Sequence, residues 1–183
     1  MLWDVDAEFD KHHNEWRFDG PTLKLEFSRI SSSRAGALTL VVDESHGVEV
    51  TVAWCLSRRR ELIDAMADLR SREGTTMANI GQLQVLEPPP TDGTTAGAIA
   101  LWARENSIAA VVWTKLSTNF EAEVKKPFSV AEALAHLSRL TPQGKARAAE
   151  YLWRAPEFVR TPVRTAMQRE PWFVTHSGLP RRS

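Results

Sequence analysis

The sequence contains little cysteine and no excess of charge of either sign. Cys55 is the only cysteine in 183 residues, so neither an intramolecular disulfide nor a cysteine-based zinc site can form. Lysine and arginine together number 23, as do aspartate and glutamate, so no net field draws the molecule towards nucleic acid, an anionic membrane or an acidic ligand. These absences disfavour a disulfide scaffold and a strongly electrostatic partner.

Long hydrophobic runs are missing as well. No apolar stretch is long enough to cross a bilayer, and the N-terminus has no basic segment followed by an apolar one. We therefore expect a cytoplasmic protein with no membrane partner. The length and the 43% hydrophobic content predict a single domain over residues 1–169, of which 130–169 form a helical extension, and a flexible tail over 170–183.

Common catalytic signatures are also missing. There is no G-x-S-x-G elbow, H-E-x-x-H pair, Walker sequence or G-x-G-x-x-G after a strand. His12 and His13 lie near Asp4, Asp6 and Asp10, but adjacent histidines point in different directions and an acidic segment is typically a solvated loop. We therefore expect no metal site.

A strand pair is predicted in the first third of the chain. Residues 38–42 and 48–56 are rich in Val, Leu and Thr, residue types that favour strands. The polar turn between them ends in His46-Gly47, which favours a hairpin.

Three further runs predict strands. Residues 21–31 alternate apolar and polar side chains, which suits a strand with one buried face. Residues 80–86, IGQLQVL, predict another strand, and residues 108–116 are apolar on both faces, as in a central strand. Because helical patterns dominate the remainder, we expect an α+β domain.

The helical patterns carry recognisable ends. Ser57 is a candidate N-cap for a helix that Gly74 ends in a left-handed conformation. Residues 96–106 predict a second helix that ends at Asn106. The apolar face of the first helix comprises Leu62, Ile63, Met66 and Leu69, and the caps predicted for later helices are Ser129, Thr141 and Thr161.

Glu73 is an unusual residue for the end of a helix. Unpaired carbonyls make a helix C-terminus negative, so a carboxylate there is disfavoured by up to roughly 1 kcal/mol. A carboxylate placed there against local electrostatics is a candidate general acid/base. In the alternative interpretation, Arg70 and Arg72 simply neutralise an exposed glutamate.

Three segments together resemble the γ-glutamylcyclotransferase-like superfamily: "LWD" at the start, "GPTLKLEFSRISSSRAGALTLVV" next, and a helix ending in "REG". In that superfamily a Tyr-Gly-Ser-Leu loop near the N-terminus binds substrate, and a glutamate just beyond a helix is the catalytic acid/base. Arg72-Glu73-Gly74 fits both the Arg-Glu pair of the ChaC-type branch and the Glu-Gly pair of the general branch. The resemblance covers roughly residues 1–115.

The resemblance implies a fold and a reaction. The fold is a small mixed β-sheet or barrel with packed helices. The reaction releases 5-oxoproline from a γ-glutamyl amine or peptide such as glutathione, with Glu73 moving the protons and no metal or cofactor. Arg29 or Arg34 would pair with the substrate α-carboxylate, although either arginine can equally be a surface charge at a strand end. The implied substrate-binding residues are Leu2, Trp3, Arg29, Ser31 and Arg34.

The N-terminus departs from the superfamily pattern. Met1-Leu2-Trp3 supplies the leucine of the loop and a tryptophan, but not its tyrosine, glycine or serine. The resemblance therefore predicts negligible 5-oxoproline release from the chain as given, and activity if an upstream extension encodes Tyr-Gly-Ser.

Two functions of other classes remain open. A non-catalytic interaction module on the same fold is one, because six acids among residues 1–20 and eight bases among residues 140–183 favour head-to-tail contact. Nucleic-acid binding through the C-terminal helices is the other, and the lack of a known motif disfavours it. The arginines that suggest it are Arg147, Arg154, Arg160 and Arg164.

Overall fold

The computed structural model describes residues 7–85 and 93–176 and has an α+β architecture. The α+β class predicted from the sequence is therefore confirmed. The described strands form two separate antiparallel sheets rather than a closed barrel or a mixed sheet. The strands are β1 Thr22–Ser31, β2 Ala37–Val42, β3 Val48–Thr51, β4 Ile80–Gln84 and β5 Ala110–Thr114.

Eight α-helices lie in the described ranges, and most of them follow β5. None of these helices has the length and apolarity needed to cross a membrane. The helices are α1 Ala7–Asp10, α2 Leu62–Glu73, α3 Thr95–Glu105, α4 Phe120–Val124, α5 Val130–Ser138, α6 Pro142–Arg154, α7 Pro162–Met167 and α8 Pro171–His176.

The three predicted caps of the later helices are confirmed. The hydroxyls of Ser129, Thr141 and Thr161 each accept a hydrogen bond from the backbone N-H three residues later, at 3.2, 3.1 and 3.3 Å. Such a bond satisfies one of the N-H groups that a helix leaves without an internal partner. Proline occupies the first turn of α6 and α7, as their sequences predict.

The predicted start of α2 is wrong. The helix begins at Leu62 after Glu61, not after Ser57. Ser57 instead forms an isolated antiparallel bridge with His13, and its hydroxyl accepts from the Arg59 N-H. Extended pairing with the N-terminal segment therefore delays the helix by a full turn. The buried face of α2 is formed by Ala65 and Met66, while the predicted Ile63 is 59% exposed.

The chain divides into two compact units, neither of which is one continuous segment. Unit 1 comprises Met1–Leu23 and Thr51–Leu116, and unit 2 comprises Lys24–Val50 and Ser117–Ser183. The single domain expected over residues 1–169 stays a prediction. The flexible tail expected over 170–183 begins with helix α8, and its last seven residues lie outside the described ranges.

Unit 1 is built on the antiparallel pair β4 and β5. The register places Gly81 opposite Trp113, and a Cβ at Gly81 would lie 2.4 Å from the Trp113 ring, so only glycine fits there. Helices α2 and α3 pack against both strands. The expectation of a central strand at residues 108–116 is wrong, because β5 pairs only with β4 among the described strands. Helices, rather than a second neighbouring strand, cover its apolar side chains.

The main sheet of unit 2 has the order β2-β1-β3. The predicted hairpin is therefore wrong, since both of its strands pair with β1 and not with each other. Asp43 stabilises the connecting turn, because its carboxylate accepts from the backbone N-H groups of Ser45 and His46 at 3.1 and 3.0 Å. At ten residues, β1 is long enough to pair with two short strands.

Helices α5 and α6 pack on β2, and α5 also packs on α7. The register of β1 on β2 shifts between Phe27 and Arg29, which makes Ser28 a bulge residue. Near this bulge, side chains bond to the strand backbone: Thr118 donates to the Ser28 carbonyl, and the Asn119 amide pairs with both backbone groups of Ile30. The fully buried apolar side chains of this unit include Phe27, Leu38, Phe120, Leu137, Leu152, Val163 and Met167.

Candidate functional site

Glu73 is the last residue of α2 in unit 1. Gly74 follows it with φ 58° and ψ 39°, a left-handed conformation that glycine adopts without steric cost. The Gly74 N-H donates to the Ser71 carbonyl, and the Thr75 N-H donates to the Arg70 carbonyl. The predicted helix stop is therefore confirmed, and it places a carboxylate beside the terminal carbonyls of the helix.

Arg72 fixes the surroundings of this carboxylate. Its guanidinium carbon lies 4.7 Å from the centroid of the Phe9 ring and 5.4 Å from that of Trp16. The Arg72 side chain is only 3% exposed, whereas that of Glu73 is 27% exposed, and 3.7 Å separates Arg72 Nε from Glu73 Oε1. Cation-π contact with two rings holds the arginine in place. Glu73 therefore combines access to solvent with a nearby fixed positive charge.

The predicted substrate-binding residues lie at the end of β1 and in the turn after it, in unit 2, except for Leu2 and Trp3, which lie outside the described residues. Arg29 Nη1 donates to the Ser117 carbonyl at 2.7 Å. The Arg34 guanidinium stacks 4.9 Å from the centroid of the Tyr151 ring. The Ser31 hydroxyl lies 3.1 Å from that of Ser33. The structure brings these three predicted residues to one strand end, while Glu73 belongs to unit 1.

The histidines near the N-terminus have no metal-binding arrangement in the described ranges. No group of three or more His, Cys, Asp or Glu side chains there is placed to hold a metal ion. The buried His13 ring stacks on Phe9 at 3.6 Å, and its Nδ1 lies 2.7 Å from the Phe9 carbonyl. His13 thus contributes to packing in unit 1.

Glu26 is a buried carboxylate that sequence reasoning missed. Its side chain in β1 is fully buried. The carboxylate accepts from the Phe27 N-H at 2.7 Å and from the Val163 N-H at 3.3 Å. Burial raises the pKa of Glu26, against the effect of hydrogen bonds from the Thr161 hydroxyl and these two amides. In the sequence Glu26 occupies a polar position of an alternating strand, which predicts exposure.

Asp43 is a second buried carboxylate in unit 2. Its side chain is 2% exposed, and its Oδ1 lies 3.3 Å from Nδ1 of the partly exposed His46. Oδ2 of Asp43 is buried and has no hydrogen-bond partner among the described residues. The negative charge of Asp43 also acts to raise the pKa of Glu26. Two acids are therefore buried in one region of the unit.

Several arginines considered for nucleic-acid binding are engaged within unit 2. The buried Arg164 side chain donates to the carbonyls of Ala155, Pro156 and Val159, at the end of α6 and in the turn after it. Arg147 and Arg154 lie 3.5 and 3.1 Å from the Glu150 carboxylate. These contacts reduce the positive charge that the C-terminal helices offer to a polyanion.

Glu73 is thus a partly exposed carboxylate at the end of a helix, and unit 2 contains two buried acids, Glu26 and Asp43. No protein-family model, curated protein or solved structure matches the chain. The γ-glutamylcyclotransferase resemblance therefore stays a prediction drawn from the residues.

Proposed function

We propose that this chain is a γ-glutamylcyclotransferase-like protein in which Glu73 is the acid/base residue. The observation that carries the proposal is the position of Arg72-Glu73-Gly74 at the end of α2. There a partly exposed carboxylate can reach a ligand from solvent, while its neighbour Arg72 contacts two aromatic rings.

The proposed reaction is an intramolecular ring closure. The α-amine of a γ-glutamyl group attacks its own γ-carbonyl carbon, so one C-N bond forms as the original amide C-N bond breaks. Glu73 accepts a proton from the attacking nitrogen and returns one to the departing amine. The products are 5-oxoproline and a free amine, without consumption of water. Because the reaction is intramolecular, the protein mainly has to hold a folded substrate conformer and move protons.

The substrate-binding part of the proposal rests on the resemblance. Arg29 would contribute a bidentate contact to the substrate α-carboxylate, since a guanidinium has five N-H donors and the Ser117 carbonyl takes one. Arg34, Ser31, Leu2 and Trp3 keep the roles that the resemblance implies. The finer fold assignment, to the γ-glutamylcyclotransferase-like type with a helical extension, is part of the same proposal.

A non-catalytic binding module on the same fold is the second candidate. The separation of 3.7 Å between Arg72 and Glu73 favours it, because a glutamate whose role is to balance a fixed arginine needs no catalytic function. The two candidates differ in what removal of the Glu73 charge does. Catalysis predicts loss of activity with little change in stability, whereas charge balance predicts a lower free energy of unfolding.

The test measures 5-oxoproline release from glutathione and from γ-glutamyl amino acids. The chain as given is compared with a version that has Tyr-Gly-Ser inserted between Met1 and Leu2, since losing one donor to a developing oxyanion typically costs about a hundredfold in rate or more. We expect negligible release without the insertion and measurable release with it. Glu73→Gln in the inserted version should abolish that release.

Glu105→Gln is a matched control, because Glu105 ends α3 and follows an arginine, as Glu73 does in α2. It should leave both release and stability unchanged. Release that survives Glu73→Gln would rule out the catalytic role. An inactive inserted protein, together with a lower free energy of unfolding for Glu73→Gln alone, would favour the binding module.

A further inference from the structure

A buried carboxylate joins the first strand of unit 2 to a short helix far along the chain. Glu26 Oε2 accepts from the Val163 N-H in the first turn of α7, and the Thr161 hydroxyl that caps this helix also bonds to Glu26. Val163 and Met167, on the same helix, are fully buried. The position of α7 thus depends on a group that can gain or lose a proton.

The charged surroundings of Glu26 favour its neutral form. Among the largest influences on the Glu26 pKa, the charged side chain is Asp43, and it acts unfavourably on the ionised form. Asp43 itself faces His46, which is 42% exposed. Arg164 is the cationic side chain of α7, and it is buried. Its guanidinium donates to carbonyls at the end of α6 and in the turn after it. Burial without a paired cation disfavours an ionised carboxylate.

Thr161 allows the contact to exist in both protonation states. A hydroxyl is both a donor and an acceptor. It donates to Glu26 when the carboxylate is ionised and accepts from the carboxyl O-H when Glu26 is neutral, while it also accepts from the Arg164 N-H. Glu26 therefore changes its charge between the two states without losing Thr161 as a hydrogen-bond partner.

We propose that Glu26 is a pH-sensitive latch, whose neutral form keeps α7 docked on β1 and whose ionisation promotes local opening of α7. The direction of the pH effect follows from the linkage between proton binding and stability. The pKa of Glu26 is raised in the folded chain, so its stabilising effect is complete below the ordinary pKa and is lost as pH rises through the raised value. Each unit by which the pKa is raised corresponds to about a tenfold change in the opening equilibrium.

The experiment measures hydrogen exchange of the α7 amides in the full chain. Exchange is followed from about pH 5 to about pH 9, a range chosen to extend above the ordinary carboxyl pKa, and is corrected for the intrinsic pH dependence of amide exchange. We expect the protection of the α7 amides to fall as pH rises across this range, because the neutral form of Glu26 is lost. A ¹³C titration of the Glu26 carboxyl should have its midpoint near the pH at which the fall in protection levels off.

Two variants separate the latch from general pH effects. Glu26→Gln should make α7 protection independent of pH within about twofold, while Glu49→Gln, an exposed acid on β3 of the same sheet, should behave as the wild type does. Asp43→Asn keeps an oxygen for the turn amides and removes the neighbouring charge, so the fall in protection should be smaller and end at lower pH.

The outcomes are decisive in both directions. Constant wild-type protection, or an equal fall in wild type and Glu26→Gln, overturns the proposal. If Glu26→Gln does not fold, Asp43→Asn decides alone, since a fall identical to that of the wild type also overturns it.

Discussion

Burial changes the chemistry of individual side chains in this protein, and Cys55 is a clear example. Burial raises the pKa of its thiol to about 11, while the positive charge of Arg72 acts in the opposite direction and the negative charge of Asp10 reinforces the rise. The thiolate is the reactive form of cysteine. At neutral pH the folded protein therefore presents an unreactive thiol.

This predicts slow alkylation of Cys55 in the folded state. The ordinary value for the thiol is 9.0, so near neutral pH the folded chain should contain about a hundredfold less thiolate than the unfolded chain. The measurement is the rate of reaction with iodoacetamide between pH 7 and pH 10, in buffer and in denaturant. Equal rates in the two solutions would contradict the prediction.

At the scale of elements, two helix caps that look alike in sequence differ in their surroundings. Thr141 and Thr161 both precede a proline at the first helical position and both accept from the third backbone N-H. Thr141 is exposed, whereas Thr161 is fully buried and also bonds to Glu26. The buried cap therefore connects its helix to a strand.

We expect Thr161→Ala to destabilise the protein more than Thr141→Ala. Loss of an N-cap alone costs about 1 kcal/mol, and a buried partner left without its hydrogen bond costs about 1 to 3 kcal/mol more. Denaturant unfolding of both variants measures the difference, with Thr161→Ser and Thr141→Ser as controls that keep the hydroxyl. Equal losses for the two alanine variants would show that the bond to Glu26 contributes nothing.

Helix ends were predictable because their signals are local. Gly74 and the cap residues Ser129, Thr141 and Thr161 act on backbone groups within a few positions. Strand partners depend on residues far along the chain. The local pattern therefore predicted a hairpin where the structure has the strand order β2-β1-β3. The start of α2 was predicted wrongly for the same reason, because Ser57 pairs with the distant His13.

The same distinction applies to the candidate residues. The helix-terminal position of Glu73 follows from a local pattern. The burial of Glu26 does not, because alternation along β1 assumes one solvent-facing side, and α7 covers that side at Glu26. In the sequence Asp43 looks like an ordinary turn residue. Its burial results from packing, which no local pattern predicts.

At the scale of the whole molecule, the two units interleave along the chain. Unit 2 takes Lys24–Val50 from the first third and Ser117–Ser183 from the end. A chain truncated after Leu116 therefore retains β1 and β2 without the helices α5 and α6 that pack on β2. A small sheet without such packing is marginally stable at best.

We expect amide protection in β2 to be lost in this truncated chain while protection in α2 and α3 persists. The residues of unit 1 are all present, so its helices keep the strands β4 and β5 on which they pack. Hydrogen exchange measured by mass spectrometry can distinguish the two units, and a chain ending at His176 is the control. Retained protection in β2 would contradict the expectation.

The hydrogen bond between Glu26 and Val163 joins residues that the ribosome adds at different times. The two residues are 137 positions apart, so at roughly 5 to 20 residues per second the ribosome adds Val163 roughly 7 to 27 s after Glu26. For most of that interval the nascent chain carries Phe27 and Leu38, which end fully buried, without the helices that pack on their sheet. An uncovered strand edge can pair with other chains. The latest-made helices therefore determine how long the apolar residues of the earliest-made sheet stay uncovered.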